Sequence, residues 1–321
     1  MGNLGLDRLH LDTERIVLWK TSRRPATAAV SCSSEARDPF VGERLHGRYR
    51  LLRRIGQGGA GVVYLAEHLQ RRRMVAVKIM RPQPWTADEA GLRFYREAQV
   101  SRLVRNPHIV DVSDIGRLDG GPPYLVMEYL EGTDAAQLVA AEGAVCVPRV
   151  AEIGLQICSA LDAVHCAGVV HRDLKPEHVF LIARGDTSDF VKLVDFGICK
   201  LTSGRSVTGA GIALGTPRFM APEQLEARPD ADARVDLYAL GGILFFMLTG
   251  RCPFEASSLP ELLIRVWSDP APRLRDLRPD APESLNGLID RALSKDPNAR
   301  PTVREFQAAL APFAPSRSAN A

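Results

Sequence analysis

The sequence has no CxxC pair, no cluster of cysteine with histidine, no long apolar run and no marked excess of charge of either sign. Each absence removes a class of protein. Its six cysteines, at 32, 146, 158, 166, 199 and 252, are scattered singly. Neither a disulfide scaffold nor a zinc module is expected from them, and they read as reduced thiols in a cytoplasmic protein. The longest apolar run, Leu237 to Leu248, falls short of the about 20 residues that a membrane helix needs and reads as a buried helix. Arg8, Asp12, Glu14 and Arg15 interrupt any apolar core of a secretory leader. A formal net charge of only +3 gives no general attraction for nucleic acid. The clusters Arg48/Arg50/Arg53/Arg54 and Arg71/Arg72/Arg73 lack interleaved aromatics, so they read as solvated strand faces and a hairpin tip. With 26 Gly and 22 Pro in 321 residues, collagen-like and low-complexity chains are excluded too. What remains is a globular protein with no membrane span and no nucleic-acid partner, long enough for one large domain or two ordinary ones.

Residues 1–44 show no sustained periodicity and read as a flexible N-terminal extension. From Leu45 onward, YRLLRRIG, GVVYLAEHL and MVAVKIM are short apolar runs broken by glycine and by the arginine triplet, the pattern of antiparallel strands joined by turns. ADEAGLRFYREAQVSRLV has helical spacing, with Thr86 or Asp88 as its cap, and HIVDVSDIG and PYLVMEYL add two strands. After Gly132 the pattern turns helical. VPRVAEIGLQICSALDAVHCAG repeats apolar residues at i, i+3, i+4 and i+7, with Pro148 near its start and Gly168 at its stop. Two short strands, HVFLI and FVKLV, flank the turn RGDTSD, a loop rich in Gly, Ser and Thr runs from about 197 to 218, and helices continue to Phe313. The expected architecture is α+β: a small β-rich lobe over 45–130 and a larger α-helical lobe over 131–312, ending in a short flexible tail, 313–321.

Gly56, Gly58 and Gly61 form GxGxxG, which alone is a weak signal because dinucleotide sites use the same string. Those glycines open a helix; here VVYLAEHL, a strand, follows. A glycine turn between strands lets backbone N–H groups approach phosphate oxygens, although an ordinary glycine hairpin would look the same. Val75-Ala-Val-Lys78 places an ammonium in an apolar strand, where it needs a counter-ion, and Glu97 on the next helix is available. Downstream stand His171-Arg-Asp173-Leu-Lys175-Pro, Asp195-Phe-Gly197 and Ala221-Pro-Glu223. In this order the motifs resemble those of the eukaryotic-type protein kinase family, and particularly its bacterial Ser/Thr branch, over residues 45 to 312.

That resemblance implies a bilobal kinase-like fold, ATP as co-substrate with Mg²⁺, and protein substrates that accept phosphate on Ser or Thr. It assigns Asp173 to the substrate hydroxyl, Lys175 to the transferring phosphate, and Lys78, held by Glu97, to the α and β phosphates. It assigns Asp195 to the metal, since hard divalent cations prefer carboxylate oxygen. The glycine loop, Ile55, Gly56, Gln57, Gly58, Gly59, Ala60 and Gly61, would cover the phosphates. Val63 and Ala76 with Ile55 would form the roof of the adenine site, Phe180 and Val194 its floor, and Glu128 to Leu130 the hinge behind Met127. Glu223 with Arg300, and Asp236, match structural positions of the family. Arg172 implies switching by phosphorylation of the loop at 198–216, with Thr208 the first choice, and autophosphorylation implies a transient homodimer. Thr216 resembles the threonine of Ser/Thr-specific members.

One position departs from the family pattern. Where the family has asparagine after Lys-Pro-x, this chain has His178. Imidazole is a poorer partner than an amide oxygen for Mg²⁺ and a better one for Mn²⁺ or Zn²⁺. His178 therefore enters as a metal ligand beside Asp195, or as a hydrogen-bonding residue between Asp173 and the phosphates. The departure also motivates an alternative to the active Ser/Thr kinase, a nucleotide-binding pseudokinase or weak kinase acting as a scaffold. A small-molecule phosphotransferase is a third class, against which the glycine loop, Lys175 and the Ala-Pro-Glu segment argue.

Overall fold

The computed structural model describes residues 38–58, 61–80, 104–195 and 217–315. The first layer is an antiparallel sheet in the order β1-β2-β3-β4-β6-β5. Its strands are β1 (Arg44–Leu45), β2 (Tyr49–Gln57), β3 (Gly61–His68), β4 (Arg73–Met80), β5 (Val112–Arg117) and β6 (Pro123–Glu128). Side chains alternate between the two faces of a strand. On β4 that alternation sends Val75, Val77 and Ile79 into one apolar cluster with Tyr49, Leu51 and Tyr64. Ala76 goes to the opposite face, into a cluster with Ile55, Val63, Met127, Leu130, Phe180 and Val194. Lys78, two residues on and only 4% exposed, shares that second face.

A second, three-stranded sheet follows, β7 (Gly132–Asp134), β8 (Val179–Arg184) and β9 (Thr187–Leu193), in that spatial order. It lies among the helices α1 (Ala135–Glu142), α2 (Val147–Cys166), α3 (Pro222–Leu225), α4 (Arg234–Thr249), α5 (Leu259–Ser268), α6 (Leu274–Leu277), α7 (Glu283–Ala292) and α8 (Val303–Leu310). The apolar run that begins at Leu237 is α4, buried on nearly every side, as a helix without a polar face must be. A β-carbon at Gly241 would stand 2.6 Å from the Ala292 methyl, so glycine is what lets α4 and α7 approach closely. No helix among the described residues is long and apolar enough to cross a membrane.

Chain segments outside the sheets join the two halves. Leu193 of β9 donates its N–H to His108 O at 2.7 Å, and Val110 N donates to Leu193 O at 3.0 Å. The segment before β5 is thereby stitched to the last strand of the helical half. Of the segments expected to be flexible, 1–44 and 313–321, residues 1–37 and 316–321 lie outside the described residues, and the remainder is placed against the fold. Residues 38–44 are built onto the first sheet, with Phe40 edge-on to Tyr64 at 6.1 Å and the Tyr64 hydroxyl donating to Asp38 at 3.0 Å. At the other end Phe313 and Ala314 pack against the helical core. Both ends depend on one or two anchoring side chains, which leave no periodic pattern to read. The helix expected between Thr86 and Val104, with its caps, and the loop at 197–216 lie outside the described residues.

Candidate active site

The loop between α2 and β8 is shaped by a buried carboxylate on α4. Asp236, 1% exposed, accepts the backbone N–H of His171 on Oδ2 and that of Arg172 on Oδ1, both at 2.8 Å, and His165 Nε2 lies 2.8 Å from Oδ2. The N–H of Arg172 belongs to a residue in the left-handed region, φ 61°. A side chain there costs of order 1–3 kcal/mol and persists only where the surroundings over-determine it. Gln224 adds a second restraint, donating to Arg172 O at 2.9 Å while accepting from Ala221 N at 3.1 Å. The loop thus leans on α4 from one side and on α3 from the other.

Held in this way, the loop presents Asp173 with Lys175 Nζ 3.6 Å from its Oδ2. His178 turns its ring back, with Nδ1 2.8 Å from the carbonyl oxygen of Asp173. A carbonyl only accepts, so Nδ1 carries the proton and Nε2 keeps its lone pair. Nε2 lies 3.8 Å from Asp195 Oδ2. Burial, helped by the Lys175 ammonium, pulls the pKa of His178 down to about 3, so the ring is neutral at neutral pH. Asp195, just past β9, has a left-handed backbone too, φ 57°. Its Oδ1 is 2.7 Å from Lys78 Nζ, an ion pair that links β4 of the first sheet to the end of β9. Burial favours the neutral acid at Asp195, but the charge and hydrogen bond of Lys78, together with the charge of Lys175, hold the carboxyl below its usual range.

The residues expected around the nucleotide come together. Ile55, Val63, Ala76, Met127, Leu130, Phe180 and Val194 form one apolar cluster that spans both sheets. The glycine hairpin closes through Gly58 N to Gly61 O at 2.9 Å and the reciprocal bond at 3.3 Å. Gly61 has its own packing reason to be glycine, since a β-carbon there would stand 2.3 Å from Ile79 O. The Glu128 carboxylate is engaged elsewhere, with its Oε1 2.6 Å from Lys192 Nζ and accepting Asp111 N at 2.8 Å. Glu97, Gly59, Ala60, Thr208 and Thr216 lie outside the described residues; the ion pair described for Lys78 is the one with Asp195. Arg300 grips Glu223 through two bonds of 2.5 and 2.8 Å, with both residues buried.

Three contributors escaped the sequence reading. His165 falls one helical turn after Leu161 on the buried stripe of α2, and a polar residue on such a stripe was the available signal. Nothing near Gln224 or Lys192 names Arg172 or Glu128 as a partner, because these lie 52 and 64 residues away.

Chemically, the site opposes two carboxylates, Asp173 and Asp195, to two ammonium groups, Lys78 and Lys175, with a neutral imidazole between the carboxylates. Such a donor set suits a polyphosphate with a divalent cation: the ammoniums suit phosphate oxygens, and Asp195 Oδ2 with His178 Nε2 can share an ion.

A β-rich lobe and a helical lobe with this site at their junction define the protein kinase class of fold. The chain belongs to that family: the model of the protein kinase domain matches residues 49–310. The serine/threonine-protein kinase Pkn1 of Myxococcus xanthus is 41% identical over 294 residues, which cover 90% of this chain and 41% of that protein. PknH of Mycobacterium tuberculosis is 38% identical over 267 residues, 83% of this chain and 42% of that protein. The chain therefore spans about two fifths of the length of these curated relatives. Among solved structures, the Mycobacterium tuberculosis PknI kinase domain superposes with a TM-score of 0.64 at 33% identity, covering 85% of this chain and 98% of that one. Rad53 1-466 in complex with AMP-PNP gives a TM-score of 0.68 at 28% identity, covering 83% of this chain and 65% of that one.

Proposed function

We propose that this chain is a serine/threonine protein kinase that transfers the γ-phosphate of ATP to Ser or Thr hydroxyls of proteins, itself included. The observation that carries the reading is the meeting of Asp173, Lys175, Lys78 and Asp195 at one junction between the lobes, with Lys78 and Asp195 2.7 Å apart. In this reading Lys78 and the glycine hairpin hold the phosphates, while the apolar cluster takes the adenine. Asp195 holds Mg²⁺, or Mn²⁺, which when bound supplies charge neutralisation on the phosphates. Asp173 orients the substrate hydroxyl and takes its proton as oxygen attacks the γ-phosphorus and the bond to ADP breaks. Lys175, close to Asp173, stabilises charge on the transferring group. Relatives of 38 to 41% identity that bear the name of Ser/Thr kinases support the same choice. A cytoplasmic location and a transient homodimer during autophosphorylation belong to this proposal. The scaffold alternative draws on His178 alone.

The test is autophosphorylation of purified protein with γ-labelled ATP, wild type against Asp173→Asn. Loss of a general base removes about 10²–10⁴ in rate. Labelling of the variant at the wild-type rate would end the proposal.

A further inference from the structure

We propose that His178 is a nitrogen ligand for a divalent cation held jointly with Asp195, and that it biases this site toward Mn²⁺ over Mg²⁺. The inference rests on the kinase reading and deepens it: a ring nitrogen stands where the family has an amide oxygen, and the structure gives that nitrogen its orientation.

Three observations converge. The ring is fixed, because Nδ1–H is committed to the Asp173 carbonyl at 2.8 Å in a side chain that is only 6% exposed. The tautomer is fixed by the same bond, so the lone pair is on Nε2. Finally, Nε2 and Asp195 Oδ2 are 3.8 Å apart. Both are acceptors, and two acceptors facing each other at a poorly solvated spot are unfavourable unless something positive stands between them. Lys78 is engaged with the other oxygen, Oδ1, at 2.7 Å. Metal–nitrogen and metal–oxygen bonds of about 2.0–2.2 Å add up to slightly more than that gap, so one ion can touch both atoms. Phosphate oxygens and water complete the coordination sphere.

A histidine kept for packing alone would have no need of this arrangement. A backbone carbonyl that fixes the outer nitrogen of the ring while the inner one faces a carboxylate is how metal-bound histidines are commonly oriented. The metal bias follows from the ligand type. Carboxylate and water suit Mg²⁺, and each imidazole nitrogen moves affinity toward later metals in the divalent series, in which Mn²⁺ is the first with usable spectroscopy.

The probe is Mn²⁺ with ADP on the full chain, read by electron spin-echo envelope modulation. Wild type should show coupling to a directly bound nitrogen that changes when the protein is labelled with ¹⁵N-histidine, and His178→Asn should lack it. In parallel, displacement of Mn²⁺ by Mg²⁺ from the ADP complex should become about tenfold easier in His178→Asn, the scale for losing one well-placed partner of a metal site. If that variant does not fold, His178→Gln takes its place, and the labelled wild-type spectrum still decides the coordination. An ADP-bound Mn²⁺ signal without histidine coupling overturns this inference and leaves the kinase reading intact. Failure of ADP to bind at all overturns the kinase reading, and this inference falls with it.

Discussion

Asp236→Asn exchanges one carboxylate oxygen for an NH₂ group and changes almost nothing in volume. The buried oxygens of Asp236 accept two backbone N–H groups at 2.8 Å each and face His165 Nε2 at 2.8 Å. Asparagine has one acceptor oxygen. The best arrangement keeps it on Arg172 N, where the left-handed backbone needs support, and turns the NH₂ toward His165. The N–H of His171 then meets a donor. An orphaned buried donor costs about 1–3 kcal/mol, and trading a charge-assisted bond for a neutral one costs somewhat more. A stability loss of about 2–4 kcal/mol follows. The functional loss should be larger than that figure suggests, because a His171 backbone released from the carboxylate shifts the loop two residues before Asp173. A misplacement of about 1 Å in a reacting group costs on the order of 10²-fold. Urea unfolding and autophosphorylation rate are the two assays. Activity within twofold of wild type, with an unchanged unfolding midpoint, would refute the claim that this carboxylate shapes the loop.

Two further outcomes follow from buried charges away from the phosphates. Asp134 caps α1 by accepting Gln137 N at 2.8 Å, yet burial, with the nearby Glu177 adding to it, pushes its pKa up to about 6. A folded-state pKa above the unfolded value of about 3.9 gives stability that is fully present below pH 4 and is lost as pH rises through 6, so the stability of wild type relative to Asp134→Asn should fall by about 1.4 kcal/mol between pH 5 and 7.5 in urea unfolding; a difference independent of pH would contradict the assignment. Lys192→Met should leave Glu128 without its 2.6 Å partner and loosen β6 against β9, raising KM for ATP by about three- to tenfold, or roughly 0.7–1.4 kcal/mol, in steady-state kinetics; an unchanged KM would show that this ion pair does not align the lobes.

The first sheet was legible because its strands are short apolar runs bounded by glycine and arginine, and side chains alternate between the two faces of a strand. MVAVKIM sends Val75, Val77 and Ile79 one way and Ala76 and Lys78 the other, so the face that carries the lysine can be read directly. The ion pair Arg300–Glu223 was legible only through resemblance, since nothing local in either residue's surroundings announces a partner across the helical lobe. Lys192 illustrates the limit better. In FVKLV it reads as a polar interruption of a strand, and its meaning depends on Glu128 arriving from another sheet. The geometry at His178 was out of reach for a similar reason. The sequence named the departure from asparagine, but the tautomer is set by a backbone carbonyl five residues earlier, and no side-chain pattern records it.

The electrostatic balance of the junction explains why a neutral histidine fits there. Lys78 and Lys175 match Asp173 and Asp195 in charge, so these four groups sum to nothing before a nucleotide arrives. A polyphosphate would bring several negative charges to a site that, among the described residues, has no surplus of positive ones, and divalent cations entering with it would meet the deficit. A protonated His178 would supply one fixed positive charge, but next to Lys175 and at the expense of the lone pair. Burial and the Lys175 ammonium both work against that protonation. On the proposed reading the loop offers a ligand atom at this position, and the neutralising charge would come from an ion that enters with the nucleotide and exchanges with it.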